Sequence, residues 1–300
     1  MILSMRREYN GNCRAVLDHY KAVFNDAVVN FNTFAEMPGV ESFGITGEGL
    51  SLIWKSTIAV KFGEFNLCFE MSDSILYAMQ QSSFMDSVQI DGFTFLTSSY
   101  PQICVSFEDE QKEANFRQKA KLNSNNIDAN NIQWLIEKNK QPSASLYFEF
   151  DGFCQDVIKY YETAFDTKAV NVIRYDESPD AGSVTGLGSN KVYSAHIFFD
   201  DGANKYAIKL CDTLNSAQKN LNTYNPKDLL FYKSYNPILC LSNCEHDSLL
   251  KSFESLSIGA KLNKKPELNE EGAYHASLID RYGICWEIYS VIPSCNQNYR

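Results

Sequence analysis

The chain has 300 residues, 44% of them hydrophobic and 13% aromatic, which suits two packed domains and excludes a disordered chain. Its net charge of −10, with no Lys/Arg-rich run, argues against nucleic acid and anionic membrane as partners. A small-molecule ligand fits that charge better. No stretch approaches the roughly 20 apolar residues of a membrane span, and the N-terminus lacks the apolar core of a signal peptide. Nine cysteines sit mostly singly within apolar runs, so they are expected as reduced, buried hydrophobes of a cytoplasmic protein. The pair in "CLSNC" has no second pair to complete a zinc site.

The first recognisable segment is "EYNGNCRAVLDHYKAVF", Glu8 to Phe24, and it returns as "EFDGFCQDVIKYYETAF", Glu149 to Phe165. In one ungapped register Glu8 falls on Glu149, Gly11 on Gly152, Cys13 on Cys154, Tyr20 on Tyr161 and Pro38 on Pro179. Gly63 then falls on Gly202, Asp73 on Asp212 and Pro101 on Pro237, after small shifts of the kind loops tolerate. The chain is therefore a tandem duplication, with modules at 4–140 and 143–295 joined by the polar linker "EKNKQPSAS". Near the end of the first module "NNIQWLIEK" is a strand in which Trp134 matches Trp286. The stretch from Leu122 to Trp134 is half as long as that from Leu262 to Trp286, which leaves no room for a strand pair. The first module is thus expected to be a shortened, non-catalytic copy that shapes or caps the second.

In the second module "SASLYFEF" is a strand, followed by an amphipathic helix on which Cys154, Val157, Ile158, Tyr161, Ala164 and Phe165 share a face. Asp151, like Asn10 in the other copy, is the expected N-cap. "AVNVIRY" is a strand, "DESPDAGSVTGLGSN" a loop, and "KVYSAHIFFD" and "NKYAIKLCD" are strands around the turn "DGAN". A polar, Asn-rich stretch from Leu214 to Asn236 is expected as a long loop. "PILCLSN" is then a strand, "HDSLLKSFESLSIG" a helix closed by Gly259, and "AYHASLID" and "GICWEIYSV" are strands. The first half makes a β-α-β-β-β unit and the second is read as another, with three of its four strands located, so the whole chain holds up to four units.

Paired units with "FEFDGFCQDVIKYYETAF", "SAHIFFDDG" and "DRYGICWEIYSV" in this order resemble the glyoxalase/bleomycin-resistance/dioxygenase superfamily (vicinal oxygen chelate fold), and within it the PhnB-like proteins. The resemblance implies an α+β fold in which paired units form half-open barrels, here as two tandem glyoxalase-like modules. It also implies a ligand cleft in each barrel, often beside a divalent metal. Metal-dependent members draw His and Glu ligands from the first and last strands of each unit. At those places Glu287 is a good ligand, whereas Ser145 or Leu146, Lys209 or Cys211, and Asn236 or Ile238 are not. Hence no metal cofactor is expected, a divalent metal being the alternative.

The cleft candidates are His196, Glu287, His275, Tyr147, Glu149 and Trp286. His196 lies on an apolar strand and could orient a ligand or act as a base, its plainer reading being a hydrogen-bonded histidine in or near the core; His275 lies on a strand of the second unit, facing either the cleft or the outer side. Tyr147 and Glu149 share one face of their strand, Phe148 and Phe150 the other. His19 lies on a helix, and His246 starts one. In the first module Thr57 replaces His196 and Leu135 replaces Glu287, which directs any chemistry to the second. "GLGSN" does not follow a strand and open a helix, so no nucleotide-binding turn is indicated. The expected function is binding of a small organic molecule in the second module's cleft without a metal. The alternatives are a metal-dependent lyase or dioxygenase, and a structural protein without a ligand. The chain is expected as a monomer whose modules form a pseudo-dimer, or as a homodimer.

Overall fold

The computed structural model describes residues 1–80, 102–130, 132–138, 141–183, 186–213, 238–269 and 272–290. The expected Asn-rich loop lies outside the described residues.

Four units follow one another. Unit 1 is β1 (Ile2–Tyr9), α1 (Cys13–Val23), β2 (Val28–Thr33), β3 (Ile53–Phe62) and β4 (Phe65–Asp73), followed by a short helix, α2 (Ile75–Gln80). Unit 2 is β5 (Gln102–Phe107), α3 (Glu110–Lys119) and β6 (Gln133–Lys138), with no middle strand pair among the described residues, as expected from the short spacing before Trp134. Unit 3 repeats the first: β7 (Ser143–Phe150), α4 (Cys154–Phe165), β8 (Val170–Arg174), β9 (Val192–Asp200) and β10 (Lys205–Asp212). Unit 4 is β11 (Ile238–Cys244), α5 (His246–Ser257), β12 (Lys261–Leu268), β13 (Tyr274–Ile279) and β14 (Cys285–Ser290). The fold is α+β, with half-open barrels built from paired units.

Strand pairing shows which units combine. β1 lies antiparallel to β11, with Arg6 opposite Ile238, and β5 lies antiparallel to β7, with Gln102 opposite Tyr147. Units 1 and 4 therefore curl into one sheet, β2-β3-β4-β1-β11-β14-β13-β12, and units 2 and 3 into another, β8-β9-β10-β7-β5-β6. The two join at a single residue pair, Phe65 with Lys205. This corrects the expectation of a cleft made by the second module alone, since each cleft takes one unit from each module. The short segment after β6 keeps the first strand of unit 3 beside unit 2, following the rule that successive elements stay adjacent. Units 1 and 4 are left to pair with each other.

The helices pair the other way. On α1 the buried face is Cys13, Val16, Leu17, Tyr20 and Val23, and Tyr20 donates its hydroxyl to Asp128 Oδ2 of unit 2 at 2.7 Å. On α4 Tyr161 does the same to Asp280 Oδ2 of unit 4, also at 2.7 Å. Each aspartate also accepts an indole N–H, Trp134 onto Asp128 at 2.9 Å and Trp286 onto Asp280 at 3.0 Å, and two backbone N–H groups of the turn before the last strand. The buried aspartates are thus fully satisfied, which makes them tolerable in an apolar interior. The truncated unit has kept this network intact although it has lost two strands.

A second duplicated device starts the helices. Asp73 Oδ1 accepts the Cys13 N–H and its Oδ2 the Ile53 N–H, both at 3.0 Å. Asp212 accepts the Cys154 and Val192 N–H groups in the same way, both at 2.9 Å. Neither Asn10 nor Asp151 caps its helix; the residues at the cap positions, Asn12 and Phe153, make no side-chain cap bond, and the carboxylate arrives from the last strand of the unit. It also ties the helix start to β3 or β9, which a local cap could not do.

Candidate functional site

The cleft of units 1 and 4 is set by alternation along β1. Leu3 and Met5 enter the helix-side core, so Ser4 and Arg6 face the other way. Register places Arg6 beside Glu70 on β4, and Cys240 on β11 beside Glu287 on β14. Arg6 lies between the two carboxylates. Its Nη2 donates to Glu70 Oε2 at 2.9 Å and its Nε to the same oxygen at 3.3 Å, while Nη1 donates to Glu287 Oε2 and to the Tyr289 hydroxyl, the latter at 3.1 Å. Ser4 donates to the other oxygen of Glu70 at 2.5 Å, and the Tyr289 hydroxyl donates to Glu287. The Arg6 side chain is 25% exposed and the carboxylates 17% and 18%, so these charges are largely shielded from water. Burial works against the Arg6 charge, but Cys240, Glu287, Tyr289 and Glu70 outweigh it and hold the guanidinium firmly protonated.

His275 stacks on Tyr289, with ring centroids 4.4 Å apart and planes 3° from parallel. Its Nε2 is 3.8 Å from Glu287 Oε2, is buried, and makes no hydrogen bond. Burial, with Lys264 and Arg6 nearby, lowers its pKa against the pull of Glu287, which favours the neutral ring. Above this floor opens a cavity of about 300 Å³ whose lining includes Arg6, Glu70, Phe34, Trp54, Met71 and Tyr289.

The cleft of units 2 and 3 carries the same scaffold with different chemistry. Tyr147 pairs with Lys209 as Arg6 pairs with Glu70, and Cys104 pairs with Leu135 as Cys240 pairs with Glu287. Lys209 is buried and donates to Glu137 of β6, with Cys104 Sγ 3.9 Å away. Burial opposes its charge, yet Cys104 and Glu137 raise its pKa. Tyr147 donates to Glu149 at 2.9 Å and lies 2.9 Å from Cys211 Sγ. His196 sits opposite Lys209 in register, as Thr57 sits opposite Glu70. Its Nδ1 is buried without a partner, and burial followed by repulsion from Lys209 pushes its pKa down to about 4.

The candidates thus divide. Glu287 and His275 meet in the first cleft, and His196, Tyr147 and Glu149 in the second. Trp286 reaches neither, a correction that follows from alternation on β14: Glu287 takes the cleft face and Trp286 packs on Tyr161 and Phe165 of the helix layer. The register also places Tyr147 opposite Lys209 and Cys240 opposite Glu287, whereas Leu146 pairs with Ile208 and Ile238 with Cys285; Asn236 lies outside the described residues. Arg6, Glu70 and Tyr289 were missed. Placing the two copies side by side shows them: Arg6 falls on Tyr147 and Glu70 on Lys209, an exchange of charge in an otherwise similar frame.

These residues do not fit a divalent metal. Metal-binding side chains must present lone pairs, and a guanidinium has none and does not deprotonate. Arg6 occupies a first-strand position and donates to both carboxylates. Among the described residues no three His, Cys, Asp or Glu side chains converge to hold an ion.

No family model and no curated protein matches the sequence. Solved structures do match the fold. Glyoxalase I from Zea mays aligns over 96% of this chain and 92% of its own, with a TM-score of 0.51 at 11% identity. A variant of that protein aligns over 96% and 94%, with a TM-score of 0.54 at 10% identity. A PhnB protein from Bacillus cereus covers 49% of this chain and 98% of its own, at 17% identity and a TM-score of 0.34. The chain has the fold of glyoxalase I, with two modules' worth of units in one polypeptide. No helix among the described residues is long and apolar enough to cross a membrane.

Proposed function

We propose that this protein binds a small organic molecule in the cleft between units 1 and 4, without a metal. The observation that carries this reading is the cavity of about 300 Å³, with Phe34 and Trp54 on its wall and Arg6, Glu70 and Tyr289 at its floor. That is the small end of the range for ligand sites, and an apolar wall with a few fixed polar groups is their usual composition. The carboxylates outnumber the guanidinium at the floor, which favours a neutral or cationic ligand bearing hydrogen-bond donors. The cleft takes its last strand, which carries Glu287 and Tyr289, from the second module, while Phe34 and Trp54 of the cavity wall come from the first. One chain supplies both halves of each cleft, so it works as a monomer whose modules form a pseudo-dimer.

Trp54 makes the test direct, because Trp134 and Trp286 are buried and away from the cavity. A library of small organic molecules is screened for quenching of tryptophan fluorescence together with a rise in Tm. Hits that lose both signals in Trp54→Ala and Glu287→Gln support the reading; a thorough screen whose hits are indifferent to both substitutions removes it.

One observation favours a rival. The unpartnered His275 Nε2 beside Glu287 is a donor that a metal could recruit, as a metal-dependent lyase or dioxygenase would need. Stoichiometric divalent metal in the purified protein, lost in Glu287→Ala, would establish that reading.

A further inference from the structure

Each cleft holds a cation of its own. In the first, Arg6 stands on the first strand of unit 1 and faces one carboxylate from unit 1 and another from unit 4. In the second, Lys209 stands on the last strand of unit 3 and faces Glu137 from unit 2. The two cations are not equivalent by position, since Arg6 corresponds to Tyr147 and Lys209 to Glu70. The charge has changed strands between the copies, yet both clefts end with a buried cation joined to a carboxylate of the partner unit. Packing alone would not need this, because an apolar pair would fill the same space without desolvating charge.

We propose that Arg6 is a built-in cation occupying the place of a divalent metal, and that removing its guanidinium uncovers a divalent-cation site made by Glu70, Glu287 and His275. The donors come from both units, and with Arg6 between the carboxylates no three of them are placed to hold an ion. Glu70 Oε2 and Glu287 Oε2 both bond to the one guanidinium, so a smaller ion at its centre reaches both after modest side-chain movement. His275 Nε2 lies 3.8 Å from the same Glu287 oxygen, with no hydrogen bond to give up. Cys240 is buried in the same floor, and burial keeps its thiol protonated. Two carboxylates and an imidazole form a mixed O/N set of the kind that cobalt(II), nickel(II) and zinc(II) accept. Without Arg6 the two carboxylates repel each other across the cleft, and a divalent ion relieves that repulsion.

The second cleft is the internal control. Removing Lys209 leaves Glu137, whose side chain is 47% exposed, a histidine and the thiols of Cys104 and Cys211, both pushed up to about 12 by burial, and Leu135 stands where Glu287 would be. Lys209→Ala is expected to gain no ion.

The experiment uses the full chain, free of organic ligand, so its outcome is independent of the small-molecule reading. Wild type, Glu287→Gln, Arg6→Ala, Arg6→Ala with Glu287→Gln, and Lys209→Ala are incubated with cobalt(II), desalted, and assayed for retained metal, visible cobalt absorption and Tm. Wild type, Lys209→Ala and the double variant are expected to retain none. Arg6→Ala is expected to retain one ion per chain, to show cobalt d–d absorption, and to gain Tm on addition of metal. The proposal is overturned if wild type retains one ion that Glu287→Gln removes, or if folded Arg6→Ala retains none. Should Arg6→Ala fail to fold in metal-free buffer, refolding with cobalt(II) decides: recovery supports the proposal, and no recovery overturns it.

Discussion

The two clefts share a scaffold and differ where a ligand would touch them. Both begin from a helix tied down by a distant aspartate, Asp73 in one and Asp212 in the other. Both lean on a Tyr–Asp–Trp network in the helix layer. Their floors have diverged, Arg6 with Glu70 and Glu287 against Lys209 with Glu137. Duplicated folds separate these two layers because buried networks tolerate little change, whereas cleft residues need only keep charge balanced.

The largest effect should come from the shared layer. Asp280→Ala leaves two backbone N–H groups, a tyrosine hydroxyl and an indole N–H without their acceptor in a buried place. The expected loss is about 4 kcal/mol in urea denaturation. Asp128→Ala removes the same four bonds from the truncated unit and should cost as much. A much smaller loss at Asp128 would mean that the shortened unit is an appendage, not an integral part of the fold.

The second comparison is between His196 and Thr57. Unfolded, His196 takes up a proton near its ordinary pKa of 6.5; folded, facing Lys209 and shielded from water, it does so only at about 4. Between these values the unfolded chain binds a proton that the folded chain does not. Stability should therefore fall as pH drops from about 6.5 to about 4, by at most about 3 kcal/mol, and this contribution should level off below that. Glu137 also faces His196 and partly offsets the repulsion. Substituting His196→Thr, the residue of the other copy, should flatten this limb of the stability–pH curve. An unchanged difference between the two proteins from pH 8 to pH 4 would show that the ring is solvated.

Smaller again is the contrast between the two cations. Arg6→Met leaves two carboxylates facing each other, each less than a fifth exposed, and should cost about 2 kcal/mol. Glu287→Gln in the same chain should recover part of that loss. Lys209→Met leaves only the half-exposed Glu137, which water can reclaim, so about 1 kcal/mol or less is expected. Equal costs at the two positions would show that the partner carboxylates are equally solvated.

How far the sequence revealed this depended on the kind of information needed. The repeat, the helices and most strands follow from local apolar periodicity, and the loss of two strands near Trp134 follows from chain length. β12 was harder, because "KLNKKPEL" is an edge strand with mostly exposed side chains and no apolar alternation. The partnership of units 1 with 4 and 2 with 3 has no local signature, since it depends on which edges meet in space. Nothing local therefore separates Glu287 from His196, and nothing local marks Arg6, in the shortened copy, as a cleft residue. Trp286 was misplaced for a different reason: alternation separates it from Glu287, but the chain does not say which face is the cleft.

The last comparison concerns the turns that bring the halves together. Gly63 and Gly202 occupy corresponding hairpin turns, with φ of +60° and +88°. An alanine at either position should cost about 1 kcal/mol for holding a side chain in that left-handed conformation. Around Gly202 a Cβ meets nothing within 4 Å, whereas at Gly63 it would lie 2.5 Å from the backbone oxygen of Pro142, just before β7. Backbone cannot step aside as a flexible side chain can, so Gly63→Ala should cost roughly 1 kcal/mol more than Gly202→Ala. The excess measures how tightly the hairpin of unit 1 is pressed against the segment leading into unit 3. That contact lies beside the single residue pair joining the two sheets. If the two alanines cost the same, the segment moves freely and the sheets are held together from elsewhere, chiefly by the helix layer.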